Sequence, residues 1–446
     1  MVSLTFFGGV GEIGGNKILL EDKDARIFLD FGQSFTLLDG YFVPEAYLSP
    51  RERFGLRDYF ALGLMPPLKG LYNKKSLAPT SVPFSPPEFD GVFISHAHFD
   101  HVSHLEYLHP GIPIHLGECT KLILDSVQAT VSGTKLYSEE NSLRPFRTGK
   151  SFKIGPLAIH PIHVDHSIPG AYGYVIETSS GAVAYTGDLR RHGPCSDMTA
   201  EFISKAASFD PVALIIEGTR VLPEEKRRNF TEELVHSESL KVVEGTAGLV
   251  LAMRYPRDLD RFRTFYSIAR ETGRELVISP KTAHLLLTLQ PDPLLRLPNP
   301  LKDPLIRIYD RQLKREAPWM RPFLASSVTS DYIRSNQKRI LLELDFYYLP
   351  ELIDIQPVSS CCIHSMSEPF EEDPISQISD DVLTNWMSRF SMPRHQLHAS
   401  GHASRSEIFE MITAIGAKRV FPVHTLHPEM FPKSEKIAKG KKAEIG

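Results

Sequence analysis

The sequence predicts an α/β protein of two domains, or of one domain inserted into another. Three observations lead there. The 446 residues exceed what one hydrophobic core normally serves. Short strand patterns joined by tight turns open the chain, and short strands return near its end. Between them, a strand–helix–strand unit with apolar residues at helical spacing implies a parallel sheet of its own.

Residues 3–7 read as a strand, followed by a glycine-rich turn and further strands at 17–20 and 25–30. Residues 31–90 form a long, Pro-punctuated insertion containing Tyr41, Phe42, Tyr47, Phe54 and Tyr59. A stretch this long without regular pattern is usually functional or an interaction element. An apolar strand at 91–95 ends abruptly in histidines, and β-branched or aromatic strands follow at 157–164, 172–178 and 182–185. A buried strand at 211–216 ends at Glu217. The strand–helix–strand unit occupies 248–253, 258–272 and 275–279, and Leu259, Phe262, Phe265 and Ala269 form its apolar stripe, read as core. Strands at 396–399 and 419–423 flank a helix at 405–415, and the lysine-rich segment 433–446 reads as a mobile tail.

A hydrophobic fraction of 42% with 23% charged residues is ordinary for a soluble enzyme and excludes wholesale disorder. No apolar run reaches the roughly 18 residues a membrane span needs, and no signal-peptide core is expected before Gly8. Cys119, Cys195, Cys361 and Cys362 make no C-x-x-C pair, which suits a reducing cytoplasm and argues against a disulfide framework or a zinc ribbon. The net charge of -4 is unevenly spread. From Arg220 to Arg339 there are 22 Lys+Arg against 15 Asp+Glu, a balance of +7 that leaves -11 for the rest. A basic middle on an acidic frame could meet a polyanion, although a surface of solvated mixed charges explains it better.

Gly9-x-Gly11-x-x-Gly14 matches the dinucleotide fingerprint, which works by placing pyrophosphate at the N-terminus of the helix it opens. Here Asn16 to Leu20 continue as a strand pattern. A tight turn between strands explains these glycines better.

The informative segment is Ser95-His96-Ala97-His98-Phe99-Asp100-His101. Four ligand-type side chains lie within six residues, directly after an apolar strand. Imidazole and carboxylate suit Zn²⁺ at about 2.0–2.2 Å, and such crowding otherwise needs mutual hydrogen bonds or another cation. His96 and His98 could hold one ion with a third ligand from a distant loop, where His163 and His166 both offer themselves. Asp100 and His101 would serve a second ion with a remote histidine such as His424. Asp188 is placed to bridge the two. A pair of ions about 3.5–4 Å apart is the usual clamp for hydrolysing phosphate esters.

These residues resemble the metallo-β-lactamase superfamily, whose H-x-H-x-D-H signature is matched at every position by His96, His98, Asp100 and His101. Asp30 matches its strand-end aspartate, and Asp188 in Tyr185-Thr186-Gly187-Asp188 its bridging one. Glu217-Gly218-Thr219, His402 in Ser400-Gly401-His402-Ala403-Ser404, and His424 in Pro422-Val423-His424 are similar to the three motifs of the β-CASP nucleases. His166-Ser167-Ile168-Pro169 and the opening glycine-rich run are similar to ribonuclease J. The string from His398, with Pro422 to Pro428, looks most like the archaeal branch. The match runs from Gly8 to Pro428 and selects His166 over His163 as the third histidine. The 31–90 insertion is longer than in bacterial members, and their extra C-terminal domain has no counterpart after Pro428.

The resemblance implies a fold and an activity. The fold is an αββα metallo-β-lactamase domain made of 1–219 and 396–432, with an inserted β-CASP domain at 220–395 that contains a parallel sheet. Two Zn²⁺ per chain, or Mn²⁺ or Mg²⁺, would be held by His96, His98, Asp100, His101, His166, Asp188 and His424. The activity is hydrolysis of RNA phosphodiesters in RNA decay and processing, 5′-to-3′ from 5′-monophosphate ends and with internal cutting also open. Asp100, Glu217 and His402 are the catalytic candidates, with His402 as general acid oriented by Glu217. His398, Ser400, Gly401, Ala403 and Ser404 would bind a terminal phosphate, or else simply cap the following helix. Arg254, Arg257, Arg261 and Arg263 would contact phosphates. The expected partners are single-stranded RNA and a second copy of the chain, with no membrane. The alternatives are an endonuclease for RNA 3′ ends or DNA, a small-molecule metallo-hydrolase, and a silent scaffold.

Overall fold

Apolar alternation with period two builds the first layer. Strands β1 (Val2–Gly8), β2 (Lys17–Asp22) and β3 (Ala25–Leu29) pair antiparallel, and β4 (Gly91–Phe93), β5 (Pro113–Gly117) and β6 (Ser142–Phe146) extend the sheet in parallel. A computed structural model describes residues 1–35, 40–43, 48–225, 227–228, 230–312, 317–369 and 374–445. A second sheet holds β7 (Phe152–Ile154), β8 (Leu157–His163), β9 (Tyr172–Thr178), β10 (Gly181–Tyr185) and β11 (Ala213–Glu217).

The two sheets face each other across Leu4, Phe6, Ile18, Leu20, Ile27, Tyr174, Ile176, Val183 and Ile215. Their outer faces are covered by helices. Leu19, Phe28 and Ile114 pack with Ile123, Leu124 and Val127 of the helix Glu118–Thr130. Leu214 and Ile216 pack with Phe202 of the helix Ser196–Ser208 and with Ile408 and Met411 of the helix Arg405–Ile415. The result is an αββα sandwich.

A third sheet is parallel throughout, with strands β12 (Val250–Arg254), β13 (Glu275–Ile278), β14 (Ile306–Tyr309), β15 (Ser327–Val328), β16 (Ile340–Glu343), β17 (Cys361–Ser365) and β18 (Arg394–Gln396). The strands of the strand–helix–strand unit are not neighbours: β16 lies between β12 and β13. Asp258 caps the helix Leu259–Thr272 by accepting from Arg261 N–H, and Ser279 with Pro280 opens the helix Pro280–Thr288. The strand expected at 396–399 is displaced: β18 ends at Gln396 and belongs to this third sheet. The chain then returns to the sandwich, where β19 (Arg419–Val423) lies parallel to β11.

One expectation needs correction. The segment 433–446, read as a mobile tail, includes β20 (Lys442–Glu444), paired antiparallel with β1. Ile445 is only 3% exposed and joins the sandwich core, an apolar anchor hidden among lysines. The 31–90 insertion is largely a cover, because Leu56, Met65, Leu71, Tyr72 and Leu77 are buried against the first sheet. Tyr59 packs beside His104 and Tyr107, Tyr41 is exposed, and Tyr47 lies outside the described residues. Sandwich and insert each have a core of their own, around Ile176 and Leu214 in the one and Leu342 and Leu383 in the other, and a further cluster joins them. That cluster runs from Ile123 and Leu124 into Leu285 and Leu286 of the insert. Among the described residues no helix is long and apolar enough to cross a membrane. All four cysteines are free.

Candidate metal centre

The carboxyl ends of several parallel strands converge at one edge of the sandwich. β4 ends at Phe93, and the loop after it reaches a single helical turn, Phe99–Val102, with His98 as its cap residue. This places His96, His98, Asp100 and His101 together. β10 leads to Asp188. Across the β11–β19 pair Glu217 stands opposite Val423, so Glu217 and His424 emerge side by side. His424 takes a left-handed φ of +52° and Asp30 one of +56°, a backbone state that few non-glycine residues adopt and that gathers at functional sites.

Two clusters result, each with donor atoms within 4.8 Å of one another: His96, His98, His166 and Asp188, then Asp100, His101, Asp188 and His424. In the first, His98 Nδ1 lies 3.0 Å from His96 Nε2 and 3.1 Å from His166 Nε2. In the second, Asp100 Oδ2 lies 2.8 Å from His424 Nε2, and Asp188 Oδ2 lies 3.1 Å from His101 Nε2. Asp188 belongs to both. His163 joins neither: its Nδ1 faces the Thr148 hydroxyl at 2.7 Å and its ring stacks on Tyr172.

The protein orients these rings from behind. Asp30 Oδ2 lies 2.7 Å from His101 Nδ1 and accepts from Ser95 Oγ and Tyr185 Oη. Thr219 Oγ1 lies 2.8 Å from His424 Nδ1, and Gly401 O accepts from His166 Nδ1 at 2.6 Å. Such partners fix tautomer and aim. Asp30, Ser95, Tyr185 and Thr219 are not ligands.

Charge differs between the clusters. Burial holds His96 and His98 well below the usual imidazole range and His166 at about 3, so these rings are neutral with lone pairs to offer. For His101 and His424 burial acts in the same direction. It is outweighed by Asp188 and Asp100, which lift His101 well above its ordinary value and His424 to about 9. The carboxylates of this second cluster therefore demand positive charge, which protons or a cation can supply. Among the described residues, the buried Asp188 Oδ1 has no hydrogen-bond partner. Converging neutral imidazoles, a shared carboxylate and an unsatisfied buried oxygen fit a pair of divalent cations.

Next to the clusters, Glu217 Oε1 lies 3.1 Å from His402 Nδ1, and Asp188 Oδ2 lies 3.9 Å from the same nitrogen. Burial raises the Glu217 carboxyl, but the charge and hydrogen bond of His402 outweigh it and the net shift is downward. The phosphate site expected from 398–404 is divided. His398 and Ser400 line a pocket with Arg220, Arg227, Arg228 and Gln396. Ala403 N–H instead donates to Leu189 O, and Ser404 forms a capping box with Glu407, so both are removed from that pocket. Gly401 contributes its carbonyl to His166.

Residues 65–259 match the family described as "Beta-lactamase superfamily domain", and residues 389–445 match "Zn-dependent metallo-hydrolase RNA specificity domain". Over residues 65–259 the chain is thus similar to the β-lactamase superfamily, and over 389–445 to zinc-dependent metallo-hydrolases. Curated proteins similar to this chain include three named "Ribonuclease J". That of Sinorhizobium meliloti is 23% identical over 76% of this chain and 59% of its own length. That of Pyrococcus abyssi is 25% identical over 62% and 58%, and that of Helicobacter pylori strain J99 is 20% identical over 95% and 56%. The chain thus spans less than two thirds of the length of these relatives. A crystal structure of a protein described as of unknown function from Enterococcus faecalis V583 has a similar fold, with TM-score 0.78, 23% identity and 99% of both chains covered.

Three of the four arginines expected on phosphates are committed elsewhere in this fold. Arg254 pairs with Glu343 at 2.5 Å, and Arg263 with Asp260 at 2.8 Å. Arg261, fully buried, pairs with Glu232 and donates to the 397 and 399 carbonyls. Arg257 is half-buried, donates to Ala97 O and lies 4.4 Å over the Phe99 ring. A count of charges cannot reveal such pairing. Sequence reading also missed Arg190, fully buried, which joins Asp165 of the sandwich to Glu232 and Asp260 of the insert. Its one signal is its position two residues after Asp188.

Proposed function

We propose that the chain is a metal-dependent ribonuclease that hydrolyses RNA phosphodiesters, working 5′-to-3′ from 5′-monophosphate ends and able to cut internally. The observation that carries this is the placement of the Glu217–His402 pair beside the Asp188 that joins both clusters. Two Zn²⁺, held by His96, His98 and His166 on one side and by Asp100, His101 and His424 on the other with Asp188 between, would supply Lewis acidity and an activated water. His402, oriented by Glu217, delivers the proton that the leaving oxygen needs. Ser400 and His398, with Arg220 nearby, receive the terminal phosphate. The names and domain descriptions of the matched relatives support the choice of RNA over a small molecule. The reading includes an RNA-facing insert at 220–395, a homodimer and a cytoplasmic setting, the last in keeping with the free thiols.

The test is digestion of RNA labelled at either end, with Zn²⁺ or Mn²⁺, resolving mononucleotides from internal fragments. Exonuclease action releases mononucleotides from 5′-monophosphate RNA and stalls on a 5′-triphosphate or 5′-hydroxyl. Equal cutting of blocked ends marks an endonuclease, and untouched RNA overturns the reading. Light scattering of the purified chain decides the dimer.

A further inference from the structure

The glycine-rich turn between β1 and β2 opens no helix, yet it is tied to the second cluster at three points. Gly15 N–H donates to Asp100 O at 3.1 Å, and His424 N–H donates to Gly9 O at 2.8 Å. Gly14, at φ +75°, backs directly onto Asp100: a Cβ there would lie 2.6 Å from the Asp100 Cβ. Two buried charges hold the turn in this shape. Glu12, 2% exposed, accepts from Gly9 N–H at 2.8 Å and from the Ser34 hydroxyl. Lys17, 1% exposed, donates from Nζ to Gly15 O at 3.3 Å and to Gly32 O. Gly32 in turn lies against the Asp100–His101 peptide.

A turn between two antiparallel strands needs no buried carboxylate or ammonium, and burying both is costly. What they provide is geometric. Glu12 anchors Gly9 by its N–H while the Gly9 carbonyl, on the next peptide, holds His424, and Lys17 anchors Gly15 by its carbonyl while the Gly15 N–H, on the preceding peptide, holds Asp100. We propose that Glu12 and Lys17 are positioning residues for the second cation, the one bound by Asp100, His101 and His424. This rests on the two-metal reading above.

The test reads metal content, independently of cleavage. The full chain is loaded with Zn²⁺ and dialysed against rising chelator, and zinc per chain is measured for wild type, Glu12→Ala, Glu12→Gln and Lys17→Met, with circular dichroism confirming the fold. Glu12→Ala and Lys17→Met are expected to keep one ion and to bind the other 10–100-fold more weakly. Glu12→Gln keeps an oxygen for Gly9 and a polar group for Ser34, so it is expected to restore two ions. If Glu12→Ala does not fold, Ser34→Ala, which frees the Glu12 carboxylate, is read in its place. Wild-type retention of both ions in the Ala and Met variants overturns the inference, as does parallel loss of both. A wild type that never holds two ions overturns the two-metal reading instead.

Discussion

Glu217 and His402 stand 185 residues apart in the chain and meet at 3.1 Å, carboxylate to Nδ1. Glu217 is buried and the His402 side chain is one-fifth exposed, so the carboxylate holds the ring while the ring reaches outward. Under the proposed function, proton exchange with a bound substrate falls to His402. His402→Ala is expected to lower kcat by about 10²–10⁴-fold while KM for RNA moves less than about threefold. Single-turnover kinetics checks this, and a change confined to KM rejects the general-acid role.

Asp188 serves both clusters, whereas His166 serves one. Asp188→Ala is expected to remove both ions and all cleavage, and His166→Ala to weaken one ion. Zinc per chain, measured by atomic emission, separates the two outcomes; equal losses would show that the clusters are not distinct sites.

Burial lowers the Lys17 ammonium from 10.5 to about 7. Below about pH 7 folded and unfolded chains both hold this proton, and the buried charge costs stability in full. Between about pH 7 and 10.5 the unfolded chain binds more protons, so the cost is relieved as pH rises. The stability of wild type relative to Lys17→Met should therefore climb from about pH 7 to about pH 9 at constant metal. Urea unfolding reads this, and a flat difference contradicts it.

Arg190 and Arg261 both depend on Glu232, which faces them at 3.3 and 3.0 Å. Glu232→Ala strands two buried guanidinium groups across the junction of sandwich and insert. The expected loss is about 3–5 kcal/mol, measured as a lowered urea midpoint. A change below about 1 kcal/mol would mean that Asp165, Asp260 and the nearby carbonyls suffice.

Ser400 lines the pocket that holds Arg220, Arg228 and Glu368, and Ser404 caps a helix, so the two serines should part company. Ser400→Ala is expected to erase the preference for 5′-monophosphate RNA with little effect on stability. Ser404→Ala should cost about 1 kcal/mol of stability and leave end preference intact. Competition between 5′-monophosphate and 5′-hydroxyl RNA, together with thermal unfolding, reads both.

Local patterns were legible in the sequence. Short apolar runs in β2 and β11 marked sandwich strands, and four ligand-type residues within six positions marked the cluster around His96. Helical spacing from Leu259 to Ala269 marked the insert helix. What stayed hidden depends on distant partners. The hydroxyl of Thr219 matters because His424 arrives beside it, and nothing local to Thr219 says so. Lys17 sits in a strand pattern where lysine normally faces water, and its burial follows from the carbonyls of Gly15 and Gly32. The order of β12, β16 and β13 is likewise a long-range choice. Basic composition pointed to phosphates, while Arg254, Arg261 and Arg263 had already met acidic neighbours. Lysines similarly masked the anchoring of Ile445.

The helices Glu118–Thr130 and Pro280–Thr288 press oily faces together across the seam between the two lobes. Prising the lobes apart would wet that seam, so the apolar contact itself works against a hinge opening at this junction.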